Sequence, residues 1–326
     1  MKEMDEILHI LPYTLRRIFQ THPELFQGLL EIRLRVGQPV GIHYARGNYF
    51  LGKNGTKEVL HKNIWIVEQS WLTEVLDTIS SYSLYAFEEE MRQGYVTIRG
   101  GHRVGIAGEI TMEGEKVMQI KHITFMNIRV ARQYPGCARG CLPYITGENG
   151  ILSTLLLSPP CCGKTTILRD LIRMISCGEG LSRGYQVGVV DERSELAACY
   201  FGIPQNDVGN RTDVLDGCPK AEGITMLLRA MAPEVIAVDE IGGSRDLEAV
   251  KGVAGCGVSM LATAHAEGME ELLSRPLLKS FVEMHLFQRY ILLDSGRFLG
   301  TIRAVYNDHG ACMYQKTMED RVMQCG

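Results

Sequence analysis

One stretch limits the folds open to this chain more than any other. Leu155-Leu156-Leu157 is an apolar run of strand length, and it leads into Ser158-Pro159-Pro160-Cys161-Cys162 and then Gly163-Lys164-Thr165-Thr166-Ile167-Leu168. This reads as a buried strand, a tight loop and a helix that opens at Gly163-Lys164-Thr165. A strand followed by such a loop and helix is the layout of a phosphate-binding loop. Backbone amides of the loop and the start of the helix form a concave anion site. The residues expected to contact a nucleotide are Ser158, Pro159, Pro160, Cys161, Cys162, Gly163, Lys164, Thr165 and Thr166. Lys164 is expected to reach the β- and γ-phosphates, and Thr165 to offer its hydroxyl to Mg²⁺. The usual pattern is G-x-x-x-x-G-K-[ST]. Here Ser158 stands at the first glycine position, and Cys161 stands where glycine is also common.

The pattern downstream agrees with this reading. Apolar strands are expected at 151–157, 186–190, 234–238 and 258–262, and helices at 164–176, 221–231 and 246–254. Alternation of this kind predicts an α/β domain with a mostly parallel sheet covered on both faces. In open parallel sheets, ligands sit at the carboxyl ends of the strands. The four expected strands end in the phosphate loop, in Asp191-Glu192-Arg193, in Asp239-Glu240 and in Thr263-Ala264-His265. Asp239, after Val235-Ile236-Ala237-Val238, is the expected carboxylate for Mg²⁺. Glu240 is placed to polarise an attacking water, with Glu192 the alternative base. His265 reads equally well as a γ-phosphate sensor or as a structural histidine. The last expected pair of strands, Tyr290 to Leu293 and Phe298 to Val305, turns at Asp294-Ser295-Gly296.

The 326 residues suit two domains. Before residue 147 the periodicity is mixed, which predicts a smaller α+β domain over 1–146. A helix is expected at 5–19, a half-buried strand at 31–40 and a hairpin about Asn54-Gly55. A helical pattern covers 66–91, and strands follow from Tyr95 to Ile110 and from Val117 to Val130. The Pro- and Gly-rich segment from Gln133 to Gly147 reads as the linker, which leaves 147–326 for the nucleotide domain. A net charge of −4 argues against a general nucleic-acid footprint, so no nucleic-acid partner is expected. The acidic start, Met1 to Glu6, lacks the order of a signal peptide. The ten cysteines are scattered, and the expectation is mostly buried, reduced thiols in a cytoplasmic protein. Cys161 and Cys162, beside a helix start and a lysine, are candidates for a lowered thiol pKa.

Several blocks resemble a known family. They are Val189-Val190-Asp191-Glu192-Arg193-Ser194-Glu195, the run from Asn206 to Lys220, and Ile236-Ala237-Val238-Asp239-Glu240-Ile241-Gly242, with Glu31 to Arg35 and Asn127 to Arg132 in the first half. Over about residues 31 to 304 they look like the stage III sporulation protein AA family, of the type II/type IV secretion ATPase superfamily. The resemblance implies a RecA-like P-loop NTPase domain behind the N-terminal domain, assembled as a homohexamer with ATP and Mg²⁺ between subunits. It implies a motor for a sporulation membrane channel between mother cell and forespore, peripheral at the membrane and partnered by the channel proteins. Asp191-Glu192-Arg193 match the acidic block and Thr263-Ala264-His265 the histidine block, which makes Glu192, Arg193 and His265 catalytic candidates beside Glu240. Arg129 and Arg132 are the best matches for arginines that reach bound phosphate, and Arg99 and Arg103 are weaker ones.

The family's loop reads G-P-P-G-x-G-K-T, so Ser158 and Cys161 depart from it. A Cβ in a left-handed conformation costs ~1–2 kcal/mol, which is expected to weaken ATP binding by roughly one order of magnitude. Two further readings stand beside the ATPase: a nucleotide-gated structural ring with little turnover, and a RecA-type nucleic-acid motor.

Overall fold

A computed structural model describes residues 2–59, 63–80, 88–114, 116–160, 162–294 and 299–316. The chain divides into two compact units, Met1–Arg132 and Gln133–Gly326.

The first unit opens with helices α1 (Lys2–Ile10) and α2 (Tyr13–Thr21). A single helix was expected over 5–19; Pro12, at φ −54° and ψ 147°, breaks it, because proline lacks the N–H that would continue the ladder. Next come strands β1 (Leu29–Arg35), β2 (Gly41–Tyr44), β3 (Gly47–Leu51) and β4 (Lys57–Glu58), then helices α3 (Gln69–Ser80) and α4 (Glu88–Arg92). Strands β5 (Tyr95–Thr97), β6 (Arg103–Glu113) and β7 (Lys116–Arg129) complete the unit. The expected strand at 31–40 stops at Arg35 because Gly37 turns the chain at φ 75°. Asn54-Gly55 does lie between paired strands, β3 and β4. Of the expected helical pattern at 66–91, residues 81–87 lie outside the described residues. The described strands form one antiparallel sheet in the order β4-β3-β2-β1-β7-β6-β5. Ile32, Leu34 and Ile128 of the sheet are buried, as are Leu15 and Phe19 of α2 and Leu72 and Val75 of α3.

The second unit begins earlier than expected. The boundary was placed at 146/147, but the Pro- and Gly-rich segment belongs to the second unit's core. Ala138, Cys141, Leu142 and Ile145 are buried there, and the Ala138 N–H donates to buried Asp170 at 2.9 Å. The turn residues gave a linker signal, while the apolar residues spaced among them are what pack.

Helix α5 (Leu142–Ile145) and the short pair β8 (Thr146–Gly147) and β9 (Gly150–Ile151) lead to β10 (Thr154–Ser158) and α6 (Lys164–Cys177). Strands β11 (Val187–Asp191) and β12 (Thr212–Asp216), helix α7 (Lys220–Ala230), strand β13 (Val235–Val238), helix α8 (Ser244–Gly255) and strand β14 (Ser259–His265) follow. The chain continues through helices α9 (Met269–Ser274) and α10 (Pro276–Glu283) and strands β15 (Arg289–Leu293), β16 (Ile302–Asn307) and β17 (Cys312–Gln315). The sheet order is β12-β11-β13-β14-β10-β15-β16-β17, parallel from β12 to β15 and antiparallel beyond. Strand β12, inside the run from Asn206 to Lys220, was not anticipated. The turn expected after Asp294 lies in part outside the described residues, at 295–298.

Successive side chains of a strand serve opposite faces. Leu156 therefore packs with Ile167, Leu168 and Leu171 of α6 on one side of the sheet. Leu155 and Leu157 pack on the other with Ile224 of α7, Val250 of α8 and Phe281 of α10. Burial on both faces is why these central strands are nearly continuous apolar runs.

The cysteines depart from expectation. Among the described residues, Cys141 and Cys199 are buried, while Cys177, Cys256 and Cys312 are exposed. Cys177 ends a helix, Cys256 follows one and Cys312 sits on the edge strand, all places that face solvent. No helix among the described residues is long and apolar enough to cross a membrane.

Candidate functional site

The parallel register fixes where the polar strand ends lie. Ser158 pairs with His265 across β10 and β14, and Val238 pairs with Ala262 across β13 and β14. The residues that follow β10 and β13 therefore meet the end of β14 at one edge of the sheet. Helix α6 starts there, capped by Gly163 at φ 80° and ψ 21°. A residue with a Cβ is strained at that left-handed position, and this explains the glycine.

Lys164 is only 5% exposed. Its Nζ donates to the Pro159 carbonyl at 3.1 Å, to the Ser158 carbonyl and Oγ at 3.3 Å, and to His265 Nδ1 at 3.0 Å. An ammonium can only donate, so His265 Nδ1 accepts, and the Nε2–H is left to donate to Glu240 Oε1 at 3.0 Å. Arg193 Nη1 donates to the other carboxylate oxygen of Glu240, Oε2, at 2.8 Å. Burial works against the charged form of Glu240. The His265 hydrogen bond and the Arg193 and Lys164 charges outweigh it and hold the carboxyl below its ordinary value.

The Thr165 hydroxyl donates to Asp239 Oδ2 at 2.6 Å. Thr263, fully buried, donates its hydroxyl to Asp239 Oδ1 and accepts the Glu240 N–H at 2.8 Å. Glu240 itself has φ 53°. One hydroxyl thus ties two adjacent carboxylate residues, the second of them in a left-handed conformation. Thr263 was read only as part of a strand ending. The signal for it was a hydroxyl two residues before His265 in an apolar strand, which puts both on one face.

Asp191 and Arg169 form the floor beside this network. Asp191 is 2% exposed and accepts the N–H groups of Glu195, Leu196 and Ala197 at 2.8–3.0 Å. Arg169, one turn beyond Thr165 on α6, donates to the Leu196 carbonyl at 2.7 Å. Burial lowers the Arg169 pKa, against the nearby negative charges of Asp191 and Asp239. Sequence reasoning missed Arg169; its i+4 spacing from Thr165 was the available sign. Thr166 lies with Arg169, Asp170 and Arg173 along a small cleft that Gln133, Tyr134 and Pro135 also line.

Glu192 pairs with Lys220, and both line one small cleft with Asp191, Arg193, Asp239 and Glu240. The expected arginines have different surroundings. Arg129 and Arg132 belong to the first unit: Arg129 Nε lies 3.5 Å from Glu31, and Arg132 donates to the carbonyls of Phe26 and Leu29 at 2.9–3.2 Å. Arg99 is 3.9 Å from Glu6, and Arg103 stacks on Tyr95.

The expected strain at Ser158 is absent. Ser158 ends β10, fully buried, without a positive φ, and its hydroxyl donates to the Pro159 carbonyl at 2.8 Å. The loop's left-handed residue, among those described, is Gly163. Cys162 is half-buried, its thiol 3.5 Å from the Pro160 carbonyl. Cys161, which carried the rest of the expected strain and, with Cys162, the expected thiol reactivity, lies outside the described residues.

A family described as sporulation stage III, protein AA, matches residues 1–313. The stage III sporulation protein AA of Bacillus subtilis (strain 168) is 41% identical over 315 residues, 96% of this chain and 98% of that protein. Among solved structures, the ATPase DotB of Legionella pneumophila is similar at a TM-score of 0.57 and 13% identity, over 97% of this chain and 84% of that one. The pilus retraction motor PilT, solved with ADP, is similar at 0.56 and 15%, over 94% and 85%. At such identities the structural likeness speaks for a shared P-loop fold.

Proposed function

The chain belongs to the sporulation stage III, protein AA family, and from that premise we propose that it is a Mg²⁺-dependent ATPase with a RecA-like motor domain. The observation that carries this reading is the single network of Lys164, Thr165, Asp239, Glu240, Thr263 and His265 at the carboxyl edge of a parallel sheet. Lys164 binds the β- and γ-phosphates of ATP, the loop amides and the α6 N-terminus orient them, and Gly163 lets the backbone approach. The Thr165 hydroxyl and the Asp239 carboxylate are an all-oxygen pair, the donor type that suits Mg²⁺. When bound there, Mg²⁺ neutralises charge on the phosphates.

Glu240 is the residue that orients the attacking water and accepts its proton. Its lowered pKa keeps it ionised for that task. His265 bridges Lys164 and Glu240, so a shift of the lysine towards phosphate would be felt at the base. Arg129 of a neighbouring subunit supplies positive charge to the phosphates; it is 61% exposed in its own unit. Arg132 shares that assignment from the sequence, although carbonyls already engage it. The working form is a homohexameric ring, peripheral at the membrane, that powers a sporulation channel between mother cell and forespore.

A second reading has one observation in its favour. Both oxygens of Glu240 are held, by His265 and by Arg193, which suits a nucleotide-gated ring with slow turnover. Phosphate release by the full chain with Mg-ATP, alongside the Lys164→Ala and Glu240→Gln variants, separates the two. Turnover that both variants abolish supports the ATPase. Tight ATP binding without turnover supports the gated ring. A parent chain that binds no ATP would overturn both.

A further inference from the structure

Away from this site, three side chains from two elements converge. His285 follows the C-terminus of α10, and Asp308 and His309 form the turn between β16 and β17. Asp308 Oδ2 lies 3.8 Å from His285 Nδ1 and 3.7 Å from His309 Nε2, and one donor atom from each residue falls within 4.8 Å of the others.

The backbone holds each side of this cluster in place. The His285 N–H donates to the Val282 carbonyl and the Leu286 N–H to the Phe281 carbonyl, both at 3.0 Å. This is the helix-ending motif whose left-handed residue is usually glycine. Here that residue is His285, at φ 50°. An imidazole therefore stands where the backbone alone would favour no side chain. Opposite it, Asn307 Oδ1 accepts the N–H groups of His309 and Ala311 at 3.0 and 2.9 Å and shapes the turn. Gly310 closes that turn at φ 76°, and a Cβ added there would lie 3.6–3.8 Å from the Met269 and Val282 side chains, so the turn faces α9 and α10.

We propose that His285, Asp308 and His309 bind a divalent transition-metal ion of the zinc class, which staples the end of α10 to the β16–β17 turn. Two imidazoles and one carboxylate are a donor set this class takes, with water completing the coordination. Metal–ligand bonds of about 2.0–2.2 Å put tetrahedral ligands roughly 3.3–3.6 Å apart. The two carboxylate–imidazole distances need to close by only a few tenths of an ångström. The ligand atoms as a set lie within 4.8 Å, so the imidazole pair closes by up to roughly 1.5 Å; His285 and His309 are exposed. Mg²⁺ prefers all-oxygen ligands, so this site and the nucleotide site differ in the metals they select.

The test uses the full chain, stripped of metal and kept in excess Mg²⁺, titrated with Zn²⁺ by calorimetry and followed by thermal melting. One equivalent of Zn²⁺ should bind and raise the melting temperature, and Co²⁺ should give a nitrogen- and oxygen-ligated visible spectrum. His309→Ala should weaken Zn²⁺ binding by at least the roughly tenfold that loss of an outer-shell partner costs. His285→Gly separates binding from structure. It should lose the Zn²⁺ response yet melt no lower than the parent without metal, because glycine suits the left-handed position. Zn²⁺ bound equally well by the His285→Gly/His309→Ala double variant would place the metal on thiols and overturn the proposal. So would a parent chain whose melting ignores Zn²⁺.

Discussion

Lys164 shows how a few atoms define the candidate site. A buried ammonium needs acceptors, and it finds them in loop carbonyls and in His265. Lys164→Ala should remove most ATP binding in calorimetry, since the phosphates lose their charge partner. Glu240→Gln should bind ATP but hydrolyse it roughly 10²–10⁴-fold more slowly; near-normal phosphate release would move the base elsewhere. The same carboxyl carries a pH dependence. Because its folded pKa lies below the ordinary 4.5, its stabilising contribution is present above that value and is lost as pH falls through the folded pKa. The parent should therefore lose more melting temperature than Glu240→Gln between about pH 6 and about pH 3. Thr263→Val, close in volume, strands the Glu240 N–H and one Asp239 oxygen. It should cost about 1–3 kcal/mol of stability and lower kcat more than ATP affinity. Unchanged kcat would confine Thr263 to a packing role.

Strand β10 and helix α6 act as a pair. The strand is buried on both faces and ends at Ser158, and the helix begins only after Gly163 has reversed the chain. The loop pattern makes Ser158 look like a misplaced glycine position, but the residue keeps strand geometry and bonds the next carbonyl. Ser158→Gly should therefore destabilise the protein by about 1 kcal/mol, as glycine does inside a strand, and leave ATP affinity unchanged. A clear gain in affinity would restore the strain argument. Arg169 extends the pair by linking α6 to the loop after β11 through the Leu196 carbonyl. Local periodicity foretold α6 and put Arg169 one turn beyond Thr165, yet nothing local pointed to its acceptor, which lies 27 residues away.

Across the whole molecule, the two units have different internal logic. The first is an antiparallel sheet with its own buried helices, and the second is a largely parallel sheet between two apolar layers. If catalysis draws an arginine from a neighbouring chain, Arg129→Ala and Glu240→Gln subunits, each nearly inactive alone, should regain phosphate release when mixed and co-assembled. Some mixed sites then hold both an intact base and an intact arginine. No recovery in verified mixed assemblies would place both residues in one chain. The rate per subunit of the parent should also rise with protein concentration.

The sequence by itself determined the alternation of the second unit and the four polar strand ends, and it put forward Lys164, Thr165, Asp239 and Glu240 as candidates. These are local signals: apolar runs of strand length, helical periodicity, and glycine where the backbone turns left-handed. The resemblance of the blocks about Asp191, Asn206 to Lys220 and Asp239 carried the family. Only the tertiary structure decided which residues share the site. The parallel register of β10, β13 and β14 brings Ser158, Asp239 and His265 together from positions far apart in the chain. It also decided that the segment after Gln133 packs inward, that Glu192 turns to Lys220, and that Thr263 joins two carboxylate residues. Each of these depends on a partner distant in sequence, and periodicity carries no information about that partner.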